Sequence, residues 1–261
     1  MIKKYLKLWK LLAILSAGSI LSNRIDFVSY LFGKFIRFGF FFAFILAIFA
    51  HSNSLAGYGK YEVIFFFLTF NIVDTLGQLF FRGIYDFRNE VRLGNFDYTI
   101  SKPVNALFFS LSRAVDLIDF IFLIPIVLIA IYVGFQIGHA TIYNIFAYII
   151  LLFFGLFVIL GIHIISAALI VWKTEAENAI WLYRESMTIG RFPPEIFSPK
   201  IKFLFTYFMP IIIIISIPAK AFLNMLNPVW ILISFLYASL FLGFSVLIWR
   251  RGLRHYSSAS S

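Results

Sequence analysis

The chain has 261 residues, 62% of them hydrophobic and 13% charged, with a mean hydropathy of +0.94, which lies outside the usual range for a soluble domain of this length. A formal charge of +10 would suggest nucleic acid in a soluble protein. Here the basic residues flank apolar runs, where anionic lipid and topology account for them, and the lack of Cys excludes disulfides and thiolate metal sites.

The N-terminal segment, residues 1–25, carries Lys3, Lys4, Lys7 and Lys10 ahead of an apolar stretch at 11–15, as a signal peptide would. Yet Lys3, Lys7 and Lys10 share one helical face, while Tyr5, Leu8, Trp9 and Leu12 share another. That segregation favours a helix lying in the membrane interface, with Trp9 at headgroup depth. Six apolar runs follow, near 30–50, 61–81, 114–135, 142–172, 201–217 and 229–249. Lys34 and Arg37 enter the first and can snorkel to the near surface. The third and fourth are joined by a few residues around Gln136–Ala140 and form an antiparallel hairpin. The fourth has 31 residues where a bilayer needs about 20, so it must tilt, kink near Gly155 or Gly161, or project from the membrane. The fifth is barely long enough and carries Pro210. Pro218 and Pro228 bracket a short apolar piece after it, which predicts a broken, re-entrant element before the sixth.

Of the 22 Lys and Arg, 20 fall on one side when the flanks of these runs are taken alternately, and two (Lys60 and Lys220) on the other. The positive-inside rule makes the rich side cytoplasmic, with both termini there. The expectation is one all-α integral membrane domain over 1–261, with six transmembrane helices.

No Walker phosphate loop is present, since Gly33-Lys34 lacks both the preceding spacing and a following Ser or Thr. Neither His-Glu-x-x-His, Gly-x-Ser-x-Gly nor a Cys/His ligand set occurs. Any uphill transport would draw its energy from a partner subunit or an ion gradient.

The inner loop between runs two and three, Arg82 to Phe108, is the most informative segment. A helix near 83–91 should end around Gly94, an extended Phe96–Ile100 should follow, and Lys102-Pro103 should redirect the chain. On its residues alone, this is a basic solvated loop that holds topology. Its motif Arg92-Leu-Gly94-Asn-Phe-Asp97-Tyr98, followed by Lys102-Pro103-Val-Asn105-Ala-Leu107-Phe108, resembles the signature loop of bacterial type-two (ABC-2) exporter permeases. More narrowly, it resembles a poorly characterised branch usually paired with a second, related permease. Arg191-Phe192-Pro193 with Ile196-Phe197 is similar to a Tyr-Pro stretch of the same branch, with Phe192 in place of the Tyr.

The resemblance implies a membrane subunit of an ATP-driven exporter. Its partners would be two copies of an ATP-binding cassette subunit and a second permease, in the bacterial cytoplasmic membrane and with no role for nucleic acid. ATP and magnesium would sit on the partner ATPase, and no cofactor on this chain. It also implies that 82–105 is a coupling helix docking on that ATPase, framed by Arg82, Arg88, Arg92, Gly94, Asp97, Tyr98, Lys102, Pro103 and Asn105. Arg and Lys there are interspersed with Asp86, Glu90 and Asp97, which suits electrostatic docking, and Tyr85, Phe87, Phe96 and Tyr98 are candidate aromatic anchors. Pro210, Pro218 and Pro228 are candidates for an outer gate.

Polar groups within the runs suggest other chemistry. Asn71, Asp74 and Gln78 form a helical stripe that should avoid lipid, either packing against a partner or lining a substrate path. Arg113, Asp116 and Asp119 form a second stripe, best explained by mutual pairing or snorkelling. The alternative function is a proton-coupled secondary transporter using Asp74 or Asp116/Asp119, against which no inverted repeat is visible. His163 with Ser166 evokes an intramembrane hydrolase, but no Gly-flanked nucleophile accompanies them. Glu175 and Glu177 read as solvated.

Overall fold

The structure is a computed structural model that describes residues 2–138, 141–173, 176 and 178–256. Glu175, Glu177, the tip of the 136–140 connection and the tail after Tyr256 lie outside the described residues. Among the described residues the protein is helical and has no strand. The elements are α1 (Ile2–Ser22), α2 (Arg24–His51), α3 (Lys60–Phe81), α4 (Ile84–Arg92), α5 (Asn95–Ser101), α6 (Ala106–Ser112), α7 (Leu117–Ile137) and α8 (Ile142–Trp172). They continue with α9 (Asn178–Met187), α10 (Pro199–Tyr207), α11 (Ile217–Phe222) and α12 (Val229–Arg254).

The bundle is organised around α3. Every residue from Val63 to Val73 is buried, so α3 has no solvent- or lipid-facing side there, as expected for a hydrophobic helix at the centre of a bundle. It packs on α7 and α8, and α8 packs along its length on α12. The α12 seam consists of Ser234, Ala238, Ser245, Trp249 and Gly252. Small residues at helical spacing let two backbones approach where lipid provides no hydrophobic drive. α8 is one unbroken helix of 31 residues, about 46 Å at 1.5 Å per residue. Gly155 and Gly161 are contact points rather than kinks: an added Cβ would meet the Ile214 carbonyl at 3.0 Å and the Phe241 ring at 2.7 Å, respectively. α2 is peripheral, with Ile45 its one buried residue.

α1 is amphipathic in the predicted sense. Lys3, Lys7 and Lys10 are exposed, whereas Leu12 and Ala13 are buried and Trp9 packs on Phe80 at 5.9 Å. The Lys4 ammonium donates to the Pro103 carbonyl at 2.8 Å, and the Asn105 N–H donates to the Tyr5 hydroxyl at 3.2 Å. α1 is thereby fastened to the loop that follows α3.

Five helices (α2, α3, α7, α8 and α12) are long and apolar enough to cross a membrane. The run at 201–217, expected to be a further span, is not one continuous helix. α10 and the helical stretch beginning at Ile212 meet at 83°, and the break falls at the buried Pro210 rather than at Pro218. Residues 212–216 form a π-helical turn in which the Ile217 N–H donates to the Ile212 carbonyl, and Pro218 follows in the first turn of α11. The widened turn and the N-terminal position both accommodate a residue without an N–H.

The sixth traverse lies earlier, in a segment expected to be an inner loop. Trp181 packs on Tyr85, beyond the C-terminal end of α3, at 5.1 Å. By Glu195 the chain has reached Tyr58, before the N-terminal end of α3, to which it is hydrogen-bonded. Residues 178–191 therefore run beside α3 from beyond its C-terminal end to the level of Phe70, over which Arg191 lies, and 192–195 complete the passage to Tyr58. Glu195 also pairs with Lys220, so the ends of the 196–219 excursion meet. α10 and α11 are a re-entrant hairpin at the end of the bundle that carries Tyr58, placed between the fifth and sixth traverses as expected but built from residues read as the fifth span.

This changes the charge count without reversing it. Arg184 and Arg191 lie inside the bundle with Lys34 and Arg37, and Lys200 and Lys202 join Lys60 and Lys220 at the hairpin end. The remaining fourteen Lys and Arg sit at the opposite, basic end, with α1, α4, α5 and α6.

Candidate functional site

Two places collect the polar chemistry: the short helices at the basic end and a cleft inside the bundle beside α3.

At the basic end, Gly83 makes the corner between α3 and α4. Its N–H donates to the Leu111 carbonyl at 3.1 Å, and an added Cβ would lie 2.0 Å from the Ser110 carbonyl oxygen. No side chain larger than hydrogen fits that approach. α4 buries Ile84, Phe87 and Val91. Gly94 then takes φ = +74°, a left-handed conformation in which Gly lacks the steric cost of a Cβ, and it becomes the N-cap of α5. The expected extended segment at 96–100 is thus helical, with Asp97 in the first turn where a carboxylate suits the helix dipole. The Tyr256 hydroxyl faces Asp97, and its ionisation is pushed up to about 12 by burial and by that carboxylate.

Of the four aromatic anchors expected here, three point inward. Phe87 and Phe96 pack edge-to-face at 5.1 Å and lie 6.3 and 6.2 Å from Trp249, with Tyr256 against Phe96 at 5.2 Å. Tyr85 accepts from Gln78 at 2.9 Å and from Arg184 at 3.2 Å. Only Tyr98, 72% exposed, projects, and the exposed Leu93 (65%) and Ile100 lie on the same pair of helices. Arg92, Lys102, Pro103 and Asn105 are exposed beside them. Lys102 sits 4.3 Å over the Phe109 ring, and the Asn105 side chain caps α6 by accepting from Phe108 at 3.0 Å. Arg88, in the middle of α4, is half-buried.

Arg82 leaves the expected docking surface altogether. Its guanidinium is paired with Asp116, donates to the Tyr30 hydroxyl at 2.8 Å and lies 3.9 Å from Asp119. Asp116 also caps α7 by accepting from Ile118 at 2.9 Å. Lys34 pairs with Asp119, and Arg113 with Glu90. The second stripe is therefore paired as expected, but with α2, α4 and the α3 terminus instead of within itself. This follows from topology: α7 starts where α3 ends, and the two carboxylates, each 1% exposed, face the basic groups of the neighbouring helices.

The first stripe opens on a cleft between α2, α3, α7 and α9. A polar space of about 280 Å³ is lined by Arg37, Phe70, Asp74, Arg184, Glu185, Thr188 and Arg191. It adjoins a recess of about 40 Å³ that reaches Lys34, Asn71, Gln78 and Asp119. Asn71 donates to the Phe67 carbonyl at 2.7 Å, which satisfies it within its own helix. Arg191 is sandwiched between Phe41 and Phe70, with its guanidinium carbon 4.7 and 4.9 Å from the ring centroids. Sequence reasoning placed Arg184 and Arg191 in a cytoplasmic loop. The buried spacing Ile180, Tyr183, Met187 and Gly190, a helical face, was the signal that they belong to a packed element.

At the hairpin end, Pro210 marks the break, Pro218 is buried inside helical structure, and Pro228 is exposed at the start of α12. Burial raises the Glu195 carboxyl, but the Lys220 ammonium and the Tyr58 hydroxyl outweigh that and leave it below its ordinary range. His163 is buried beside Phe81 and Tyr183, and its Nδ1–H donates to the Ile159 carbonyl at 2.8 Å.

An all-helical bundle with five long apolar helices, a sixth traverse, a re-entrant hairpin and a helical platform at one end defines a polytopic membrane protein. A profile of the ABC-2 family transporter proteins matches residues 35–260, and the chain belongs to that family. No curated protein sequence matches it. As a family member, it is the membrane permease of an ABC transporter that works with an ATP-binding subunit.

Proposed function

We propose that this chain is the membrane-spanning half of an ATP-driven exporter in a bacterial cytoplasmic membrane. The basic end, with both termini, faces the cytoplasm, as the excess of Lys and Arg there supports. The observation that carries the reading is the construction of α4 and α5. Their inner faces are fixed by the Phe87–Phe96–Trp249–Tyr256 cluster, while their outer faces present Arg92, Leu93, Tyr98 and Ile100. Rigid support behind exposed aromatic and cationic groups is what a force-transmitting dock requires. Two copies of a separate ATPase, carrying ATP and magnesium, would engage this surface on a pair of permeases, the second being a related chain. Closure of the ATPases would push α4 and α5 and so move α3 and α12, to which they are packed. Cargo held in the cleft beside α3 would leave past the α10–α11 hairpin, with Pro210, Pro218 and Pro228 shaping the exit.

The same geometry bears on the Asp116/Asp119 form of the secondary-transporter alternative and not on the form that uses Asp74, which is in no ion pair among the described residues. Asp116 and Asp119 are held in ion pairs, and a carboxylate beside a fixed cation is a poor proton carrier at neutral pH.

The test is affinity purification of the tagged chain from gently solubilised membranes, with an ATPase assay on the eluate. The expected result is co-purification of a nucleotide-hydrolysing subunit, lost with Arg92→Ala or Tyr98→Ala. Purification of the wild-type chain alone, without ATPase activity, would overturn the reading.

A further inference from the structure

The cleft beside α3 has a charge imbalance that the packing does not resolve. Four cations line it and its recess (Lys34, Arg37, Arg184 and Arg191), against Asp74, Asp119 and Glu185. Asp119 is taken by Lys34, so three guanidiniums face Asp74 and the exposed Glu185. Among the described residues none of the three is in ion-pair contact with a carboxylate. The Arg191 Nε is buried without a hydrogen-bond partner, and Arg184 reaches only the neutral Tyr85 hydroxyl. Unpaired cations inside an apolar bundle are costly and mark a functional site with an identifiable counter-charge. Arginine forks are suited to carboxylate and phosphate oxygens.

The surroundings specify more than charge. Phe38, Phe41, Phe67, Phe70 and Phe122 wall the recess. Asp74 lies seven residues from the end of α3, about 10 Å below the basic end of the bundle. α2, which borders the cleft, is exposed along nearly its whole length, so a molecule can approach from the lipid side.

We infer that this cleft recognises the acid group, phosphate or carboxylate, of an amphiphilic anion whose apolar body lies on the phenylalanine wall. Arg184 and Arg191 bind the acid, Arg37 attracts it at the rim, and Asp74 opposes it and keeps the empty cleft from holding too great a positive charge. The inference rests on the permease reading for its biological meaning, since it names the class of cargo, but its test does not need the ATPase.

The full chain in a neutral maltoside detergent is titrated with dioctanoyl phosphatidic acid, dioctanoylglycerol and inorganic phosphate, and binding is followed by thermophoresis. Phosphatidic acid should bind at least about tenfold more tightly than either other probe, as expected from one or two charge-assisted hydrogen bonds. Arg184→Gln and Arg191→Gln should each weaken it roughly tenfold. Asp74→Asn should strengthen it, an outcome no misfolded variant would give, and Lys200→Gln on the hairpin should leave it unchanged. Equal binding of the uncharged diglyceride, or weaker binding in Asp74→Asn, would overturn the assignment. Phosphate binding as tightly as phosphatidic acid would overturn the amphiphile half and leave a soluble anion as ligand. Selective binding by a chain that co-purifies with no ATPase would keep this site and reject the ABC reading. Co-purification without selective binding would do the reverse.

Discussion

The Lys34–Asp119 pair offers the sharpest test of how this bundle is held together. Asp119 is 1% exposed and Lys34 17%, on α7 and α2 respectively, with Arg82 3.9 Å from the same carboxylate. Replacing one member of a buried pair strands the other charge and typically costs 3–5 kcal/mol, whereas replacing both with apolar groups of similar volume is often neutral. Lys34 keeps some access to the basic end and can snorkel toward it. The cost of Asp119→Leu should therefore fall at the lower bound, about 3 kcal/mol. Lys34→Met combined with Asp119→Leu should return to within about 1 kcal/mol of wild type, because α2 meets little else and Arg82 retains Asp116. For a chain of this size 1 kcal/mol corresponds to roughly 2–4 °C in melting temperature, so the single variant should melt about 6–12 °C lower. The assay is intrinsic tryptophan fluorescence of detergent-solubilised protein, heated at one scan rate for all variants. If the double variant melts as low as Asp119→Leu alone, the pair does not act as a unit and the reasoning fails.

Four further outcomes are expected. Phe96→Ala, at a fully buried position in the aromatic cluster, should cost about 3–5 kcal/mol and lower the melting temperature. Tyr98→Ala on the same helix should leave melting within about 0.5 kcal/mol while abolishing ATPase co-purification. Gly83→Ala should be among the most damaging single-methyl changes in the chain, since the clash is with the α6 backbone and cannot be relieved by a rotamer. Limited proteolysis should then cut near 92–105 in the variant and not in wild type. The Glu195–Lys220 pair should make a modest, pH-dependent contribution. Because the Glu195 carboxyl is held below its ordinary range, that contribution is complete above about pH 4.5 and is lost as pH falls through the lowered value. Being partly solvent-accessible and so screened, it should be worth less than about 1 kcal/mol, and Glu195→Gln should remove the acid-side slope in melting temperature.

What could be read from the sequence was set by how local the determining physics is. The amphipathic α1, the apolar spans, the turn at Gly94 and the redirection at Pro103 follow from periodicity and backbone preference within a few residues. The inward turn of Phe87 and Phe96 does not. An aromatic residue in a basic loop looks the same whether it anchors a partner or its own chain. Here the decision lies with Trp249 and Tyr256, more than 150 residues away. Arg82 is similar: its basicity suggested a docking surface, and only the meeting of α3 with the start of α7 and its Asp116 makes it a structural ion-pair partner.

The misplaced fifth traverse shows why charge can mislead inside a membrane protein. Residues 178–191 carry Arg184, Glu185 and Arg191, and so lack the apolar run that marks a lipid-facing span. That criterion measures contact with lipid, and this segment instead packs beside α3, whose Asp74 borders the same cleft. Conversely, 201–217 has the apolar composition of a span but meets Pro210 where a straight helix would need an N–H, and it folds back on itself. The stripe Asn71, Asp74 and Gln78 was legible on α3 alone, and its meaning required Arg184 and Arg191 on the segment that composition had discarded. In this bundle the polar cleft between α2 and α3 is completed by a segment unlike a membrane span, because an element shielded from lipid can carry charge. The charged stretches that hydropathy assigns to loops are therefore where the walls of a transport path should be sought first.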